Sequence, residues 1–350
     1  MRKYNIDIIK VLAIFLVLFL HFDNPVRETF GFPYHIIITI CSTAVPLFLV
    51  SSGYLTIEKN YSYKNIFIKI IKLLILATLY KFLTMLAMGG EVTLKSIADL
   101  ILDHTYKGNS LGYDTGPFWY IYAYIAILIM QPVFSYIYKN TKLFTSFSII
   151  VIFYTFVLLY GSILLDHFST NIKGSIFINT FPLKQASQSA FAYYLIGGLF
   201  KKYEGKIKQY IAKFNIKKFV SISLLSYFVI LIIGTLYVSF LNNRFEFNLS
   251  YVTYNYRTMT GLFLTVIAFT LMNYLMPSFK NKVLLFISKN TLGIYFIHIP
   301  LGFLIKRALF NYDILINPLG NLIITIILLT LCCLIIYGLK LNKLTAKLVE

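Results

Sequence analysis

The sequence predicts an all-α protein: a polytopic membrane helix bundle of about ten transmembrane helices, with the N-terminus and C-terminus both cytoplasmic. Three observations predict it. Of 350 residues, 58% are hydrophobic and only 13% charged, and the mean hydropathy is +0.75, which lies outside the composition of soluble domains. Apolar stretches of about 16 to 23 residues, each able to cross a hydrocarbon core of roughly 30 Å, recur along the whole chain. The charges segregate by side. No soluble domain of normal size fits between the stretches, so residues 1–350 read as a single integral-membrane domain.

The predicted spans are 6–22, 36–57, 66–88, 117–138, 144–165, 185–200, 219–241, 257–276, 291–310 and 319–339. The first follows Arg2 and Lys3 in the outline of a secretory signal, but no small-x-small cleavage site precedes Pro25, so it reads as a retained helix. With the N-terminus inside, the connecting segments and span ends divide the 32 basic residues 22 to 10 in favour of the inner side. Inner acids number four (Asp7, Glu58, Glu204, Glu350) and outer acids nine, so the inner side carries net +18 and the outer side net +1. This is the positive-inside pattern, and the formal charge of +19 is a topology signal.

The lysines sit in short loops against the bilayer, where anionic headgroups are the nearest partner, so membrane lipids rather than nucleic acid are expected. The largest inner loop, KKYEGKIKQYIAKFNIKK at 201–218, reads as a basic lipid-facing helix. The longest outer connection, 89–116, places Leu94, Ile97, Ala98 and Ile101 at helical spacing, as expected of an amphipathic interfacial helix. Cys41, Cys332 and Cys333 all fall in apolar stretches and form neither a disulfide framework nor a metal motif. There is no P-loop and no HExxH. Asp7 is the sole acid placed within a span, thin equipment for an ion-coupled carrier.

Ionisable groups at membrane depth are costly and nominate functional positions. In DIIKVLAIFLVLFLHF, Asp7, Lys10 and His21 share one stripe of the first helix, with Lys10 and His21 roughly 16 Å apart along its axis. The alternative is an Asp7–Lys10 pair snorkelling to the inner interface beside an interfacial histidine. VPLFLVSSGYL sets Pro46 in mid-helix before Ser51, Ser52 and Gly53, which suits close helix packing as well as a ligand contact. GPFWYIYAYIAILIMQPV carries Trp119, the chain's one tryptophan, an interfacial-belt residue or a stacking and hydrogen-bonding one. NTLGIYFIHIPL places Tyr295 and His298 near mid-membrane, where a histidine is hard to explain as filler.

Together, in order and spacing, IDIIKVLAIFLVLFLHF, VPLFLVSSGYL, FWYIYAYIAILIMQPV and NTLGIYFIHIPL resemble the hallmark segments of the membrane-bound acyltransferase family 3, the integral-membrane O-acyltransferases of bacterial surface glycans. The likeness runs from end to end and is to members lacking an extracytoplasmic hydrolase-like domain. The family's basic residue, ten intervening residues and catalytic histidine fall on Lys10 and His21; the basic residue is typically arginine, so Lys10 keeps the charge without the planar fork. The small-residue element matches Ser52 and Gly53, the tryptophan Trp119, and the late tyrosine and histidine Tyr295 and His298.

The resemblance implies transfer of an acyl group, acetyl first among them, from cytoplasmic acyl-CoA to a hydroxyl of a surface polysaccharide or lipid-linked oligosaccharide. The catalytic set is then His21, Trp119, Tyr295 and His298, and the donor set Asp7, Lys10, Ser52 and Gly53. No permanently bound cofactor or metal is implied; acyl-CoA is a co-substrate, the location is the cytoplasmic membrane of a bacterium, and homo-oligomerisation is left open. The rival class is a non-enzymatic exporter of a polysaccharide or lipid-linked glycan, with Gln185, Ser187, Gln188 and Ser189 suiting either a sugar path or an acceptor cleft. A scaffold or sensor is the third.

Overall fold

The computed structural model describes residues 2–21, 24–87, 89–94, 97–98, 100, 116–159, 185–245, 258–277, 280–309 and 317–349, with side chains described except at 24–32, 159, 185–188 and 237–245. Every regular element among them is helical. In chain order these are α1 (Tyr4–Leu20), α2 (Asn24–Cys41), α3 (Ala44–Thr56), α4 (Tyr63–Ala87), α5 (Trp119–Lys139), α6 (Thr141–Phe153), α7 (Gln185–Lys202), α8 (Glu204–Ala212), α9 (Ile216–Phe245), α10 (Met259–Thr270), α11 (Lys282–Lys289), α12 (Thr291–Leu309), α13 (Pro318–Lys340) and α14 (Lys343–Ala346). A 3-10 turn, Gly116–Phe118, leads into α5, and π-helical turns extend α6 (Tyr154–Leu159) and α10 (Leu271–Leu275).

The described residues of the predicted spans are largely helical, with a break inside 36–57. Among the described residues, six stretches are long and apolar enough to cross a membrane: Pro33–Thr56, Trp119–Lys139, Thr141–Leu158, Ile216–Leu236, Thr291–Leu309 and Pro318–Lys340. The first, α1, is shorter at 17 residues, as is the apolar run Met259–Leu275. Of the expected outer amphipathic helix, Leu94, Ile97, Ala98 and Leu100 are helical; Ile101 and the rest of 101–115 lie outside the described residues.

One local expectation is corrected. The span predicted at 36–57 is interrupted, because α2 stops at Cys41 and α3 starts at Ala44. The Ser42 hydroxyl donates to the Thr39 carbonyl and the Thr43 hydroxyl to the Ile40 carbonyl, both at 2.7 Å. These side-chain bonds take up carbonyls at the end of α2. Pro46 therefore sits in the first turn of α3 rather than in mid-helix, where its missing N–H costs no helical bond.

The chain divides into two compact units. The first comprises Met1–Tyr34, Ser62–Ile125 and Phe279–Glu350. Within it α1 packs on α11, α12 and α13, and α12 also packs on α4. Residues from Gly293 to Ile299 are buried without a break. A helix buried on every face is a central one, so α12 is the core of this unit. The side chains of α13 at Ile323, Ile326, Ile327 and Leu334 are exposed, as a lipid-facing surface requires.

The second unit comprises His35–Tyr61 and Ala126–Ser278. Its centre is the pair α3 and α7. A Cβ built on Gly53 would fall 1.9 Å from the Tyr194 carbonyl oxygen, and one on Gly197 would fall 2.1 Å from that of Val50. Only glycine permits this backbone contact. Lipid tails are as apolar as leucine, so helices in a bilayer gain little from apolar burial and associate through close packing and hydrogen bonds. Tyr194 and Thr56 hydroxyls meet at 3.0 Å across the same pair, and the Gln131 amide of α5 donates to the Thr56 and Lys59 carbonyls, at 3.2 and 2.5 Å, where α3 ends. The α9 side chains Ile222, Leu225, Phe228 and Ile233 are exposed, giving this unit its own lipid face.

Candidate functional site

Six of the eight site residues expected from sequence belong to the first unit, in two clusters. At the N-terminal end of α1, Asp7 accepts two hydrogen bonds from the Arg2 guanidinium, 2.7 and 2.8 Å long, and a third from the Ser288 hydroxyl at 2.5 Å. Lys10 donates to the Ser288 carbonyl at 2.8 Å. Ser288 lies in the last turn of α11, where carbonyls lack helical partners and the dipole favours a cation. The Asn290 side chain bonds the Phe286 carbonyl at 2.7 Å and marks the break between α11 and α12. The hydrogen bond to Asp7 outweighs desolvation and raises the Arg2 pKa above its ordinary value.

The expected stripe is thus present, with different bonding. Asp7 and Lys10 do not simply neutralise each other at i, i+3; both engage Ser288, and Arg2 supplies the second cation. Lys10 meets a single carbonyl as a point charge, while the two-pronged recognition of a carboxylate falls to Arg2.

At the other end of α1, His21 caps the helix and its ring lies 5.1 Å, centroid to centroid, from that of His298, tilted by 43°. His298 is 1% exposed. Its Nδ1 meets the Tyr295 carbonyl at 2.6 Å, so Nδ1 carries the proton and Nε2 the lone pair. That Nε2 is buried and has no hydrogen-bond partner among the described residues. A buried basic nitrogen without a donor is an energetic defect unless something else uses it.

Aromatic rings extend the cluster. Tyr295 lies 5.4 Å from His298 and 5.3 Å from Tyr120, and Tyr120 stands edge-on to Trp119 at 6.3 Å. The Tyr295 hydroxyl donates to the Pro117 carbonyl in the 3-10 turn that delivers Trp119. His21, Trp119, Tyr295 and His298, far apart in sequence, are therefore brought into one chain of ring contacts.

Ser52 and Gly53 belong to the second unit. Gly53 faces the α7 backbone, the small-residue packing role, and the Ser52 carbonyl accepts from Thr56 Oγ1 at 2.7 Å. Ser189 is buried in α7, while the side chains of Gln185, Ser187 and Gln188 lie outside the described ones.

Sequence reasoning passed over several residues. Ser288 and Arg2 gave no signal, being ordinary residue types near a membrane edge. Asn321 and Lys81 did: each is a polar residue at membrane depth. Asn321 is 1% exposed, donates weakly to the Phe19 carbonyl at 3.4 Å, and leaves its own Oδ1 without a partner among the described residues. Lys81 is fully buried, donates to the Leu100 carbonyl and lies 5.5 Å from the Tyr122 ring.

A family model described as an acyltransferase domain matches residues 3–338, nearly the whole chain. No curated protein and no solved structure matches it significantly. The resemblance drawn from the four segments is borne out.

Proposed function

The chain belongs to this acyltransferase family, and from that premise we propose that it moves an acyl group, acetyl first among them, from cytoplasmic acyl-CoA to a hydroxyl of a bacterial surface polysaccharide or lipid-linked glycan. The observation that carries the reading is the pair His21 and His298, with an unpartnered buried Nε2. An acyl transfer to a hydroxyl needs a neutral base held where the alcohol can reach it. Neutral imidazole, with an unperturbed pKa of about 6.5, provides one near pH 7.

In this mechanism His21 accepts the proton as the sugar oxygen attacks the thioester carbonyl. The tetrahedral intermediate collapses, the C–S bond breaks, and the proton passes from imidazolium to the departing thiolate. His298 stands one ring away as a second acceptor and positions His21. Arg2 and Lys10 attract the CoA phosphates as charges. Trp119, through its indole N–H, is the proposed donor to the oxyanion.

Mass spectrometry of surface polysaccharide from matched deletion and complemented strains tests this. The expected result is glycan that persists but lacks ester-linked acyl groups, restored by the wild-type gene and not by His21→Ala. Loss of the glycan itself would overturn the reading in favour of export.

A further inference from the structure

Between α8 and the π turn at the end of α10 lies an open cleft of about 390 Å³ within the second unit. Its lining is apolar along Ile211, Phe214, Ile216 and Leu275, and carries Lys208 and Tyr274 as its polar groups. The volume is within the range of small-molecule sites, and the composition is that of an amphiphile's site: one cation over a greasy trough. The Tyr274 hydroxyl is held by the Phe200 carbonyl at 3.2 Å, which fixes one wall, and π-helical turns are themselves frequent at functional sites.

The surroundings specify the occupant. Segment 201–218 holds seven lysines and one glutamate. Glu204 pairs with Lys208 at 2.8 Å and with Lys201 at 3.8 Å. Lys208 keeps two of its three donors and is 61% exposed at its side chain; Lys206, Lys213, Lys217 and Lys218 are exposed too. Tyr210, Phe214 and Phe219 form a ring cluster with centroids 4.9 and 6.1 Å apart, and exposed Tyr210, Phe214 and Ile216 run directly into the lipid face of α9. Aromatic rings, lysines and an apolar helix in that order are what a membrane interface selects.

We infer that this cleft is a binding site for one anionic phospholipid, whose phosphate meets Lys208 while an acyl chain lies along Ile211, Phe214 and Leu275. The site is formed by residues of the second unit alone and does not depend on the acyl-transfer reading. Zwitterionic lipids, lacking net charge, gain nothing from the surplus of lysines.

Native mass spectrometry of the full chain, released from detergent with equimolar phosphatidylglycerol and phosphatidylcholine of matched chains, reads the occupancy. Preferential retention of one phosphatidylglycerol is expected. Lys208→Gln should lower that retention about fivefold, the effect of roughly one lysine charge at an anionic surface, and Ala212→Trp, which fills the cleft and leaves every charge in place, should lower it as well. Both variants should unfold at the wild-type temperature in lipid-free detergent. Equal retention of the two lipids, retention unchanged in both variants, or displacement of the lipid by acyl-CoA or inorganic phosphate would overturn the inference.

Discussion

The rings of His21 and His298 lie 5.1 Å apart, although 276 positions separate them in sequence. The first is delivered by the end of α1 and the second by the fully buried middle of α12. Their roles differ: His298 is anchored through Nδ1 to its own helix, whereas His21 sits at a helix terminus. His21→Ala should therefore abolish acyl transfer, and His298→Phe should lower it by about 10²-fold or more, the contribution of a positioned acid–base group. Acyl transfer by purified protein in liposomes, with monodispersity as the control, checks both. Full activity in His21→Ala would sink the mechanism.

Lys10 makes a single contact to a helix-terminal carbonyl. Lys10→Arg should be tolerated, and Lys10→Ala should raise the apparent KM for acyl-CoA with less effect on kcat. Equal KM values across the three proteins would remove Lys10 from the donor site.

Asp7 is buried and accepts from two residues, while its partner Arg2 is 40% exposed at its side chain. Asp7→Ala strands the Ser288 hydroxyl and should cost about 1–3 kcal/mol. Arg2→Ala should cost less, because the exposed guanidinium already has water. Thermal unfolding in detergent ranks them, and a larger loss for Arg2→Ala would contradict the geometry.

Gly53→Ala and Gly197→Ala should each destabilise the protein by about 1–3 kcal/mol or prevent folding, since a methyl group meets backbone that cannot rotate away. Gly338→Ala is the control: nothing lies within 4 Å of its Cβ position, and an alanine in the last turn of α13 should be neutral or add at most about 0.5–1 kcal/mol. Thermal unfolding in detergent reads all three.

Tyr295→Phe removes the hydroxyl that holds the Pro117 carbonyl. As Trp119 is the chain's one tryptophan, its emission reports the change directly. A shifted emission maximum together with reduced activity is expected; an unchanged spectrum would separate Tyr295 from the placement of Trp119.

The helical character of the apolar stretches and the spacing of Asp7, Lys10 and His21 along α1 were legible because each is a local property: hydropathy, and residues one or three helical turns apart. Contacts between distant segments were not. Nothing local distinguishes Arg2 from Lys10 as the partner of Asp7, since both lie within reach on a flexible stem; α11 and Ser288 decide it. The break at Ser42–Thr43 was hidden because both residues tolerate a helix and end one only when their hydroxyls turn back onto its carbonyls. Gly53 illustrates a reading with two meanings, ligand approach or packing, and the packing contact comes from Tyr194 on another helix, which no local pattern announces. Asn321 and Lys81, by contrast, were readable as polar residues in apolar runs.

The glycine contact between α3 and α7 has a mechanical consequence. With main chain resting on main chain, no layer of side chains remains to deform, and the two helices act as one stiff beam. Inserting a single residue in α3 ahead of Gly53 would rotate that glycine by about 100° around the axis, bring the Ser52 side chain to its place against the Tyr194 carbonyl and lever the beam apart, a far larger perturbation than loss of any one polar group along it.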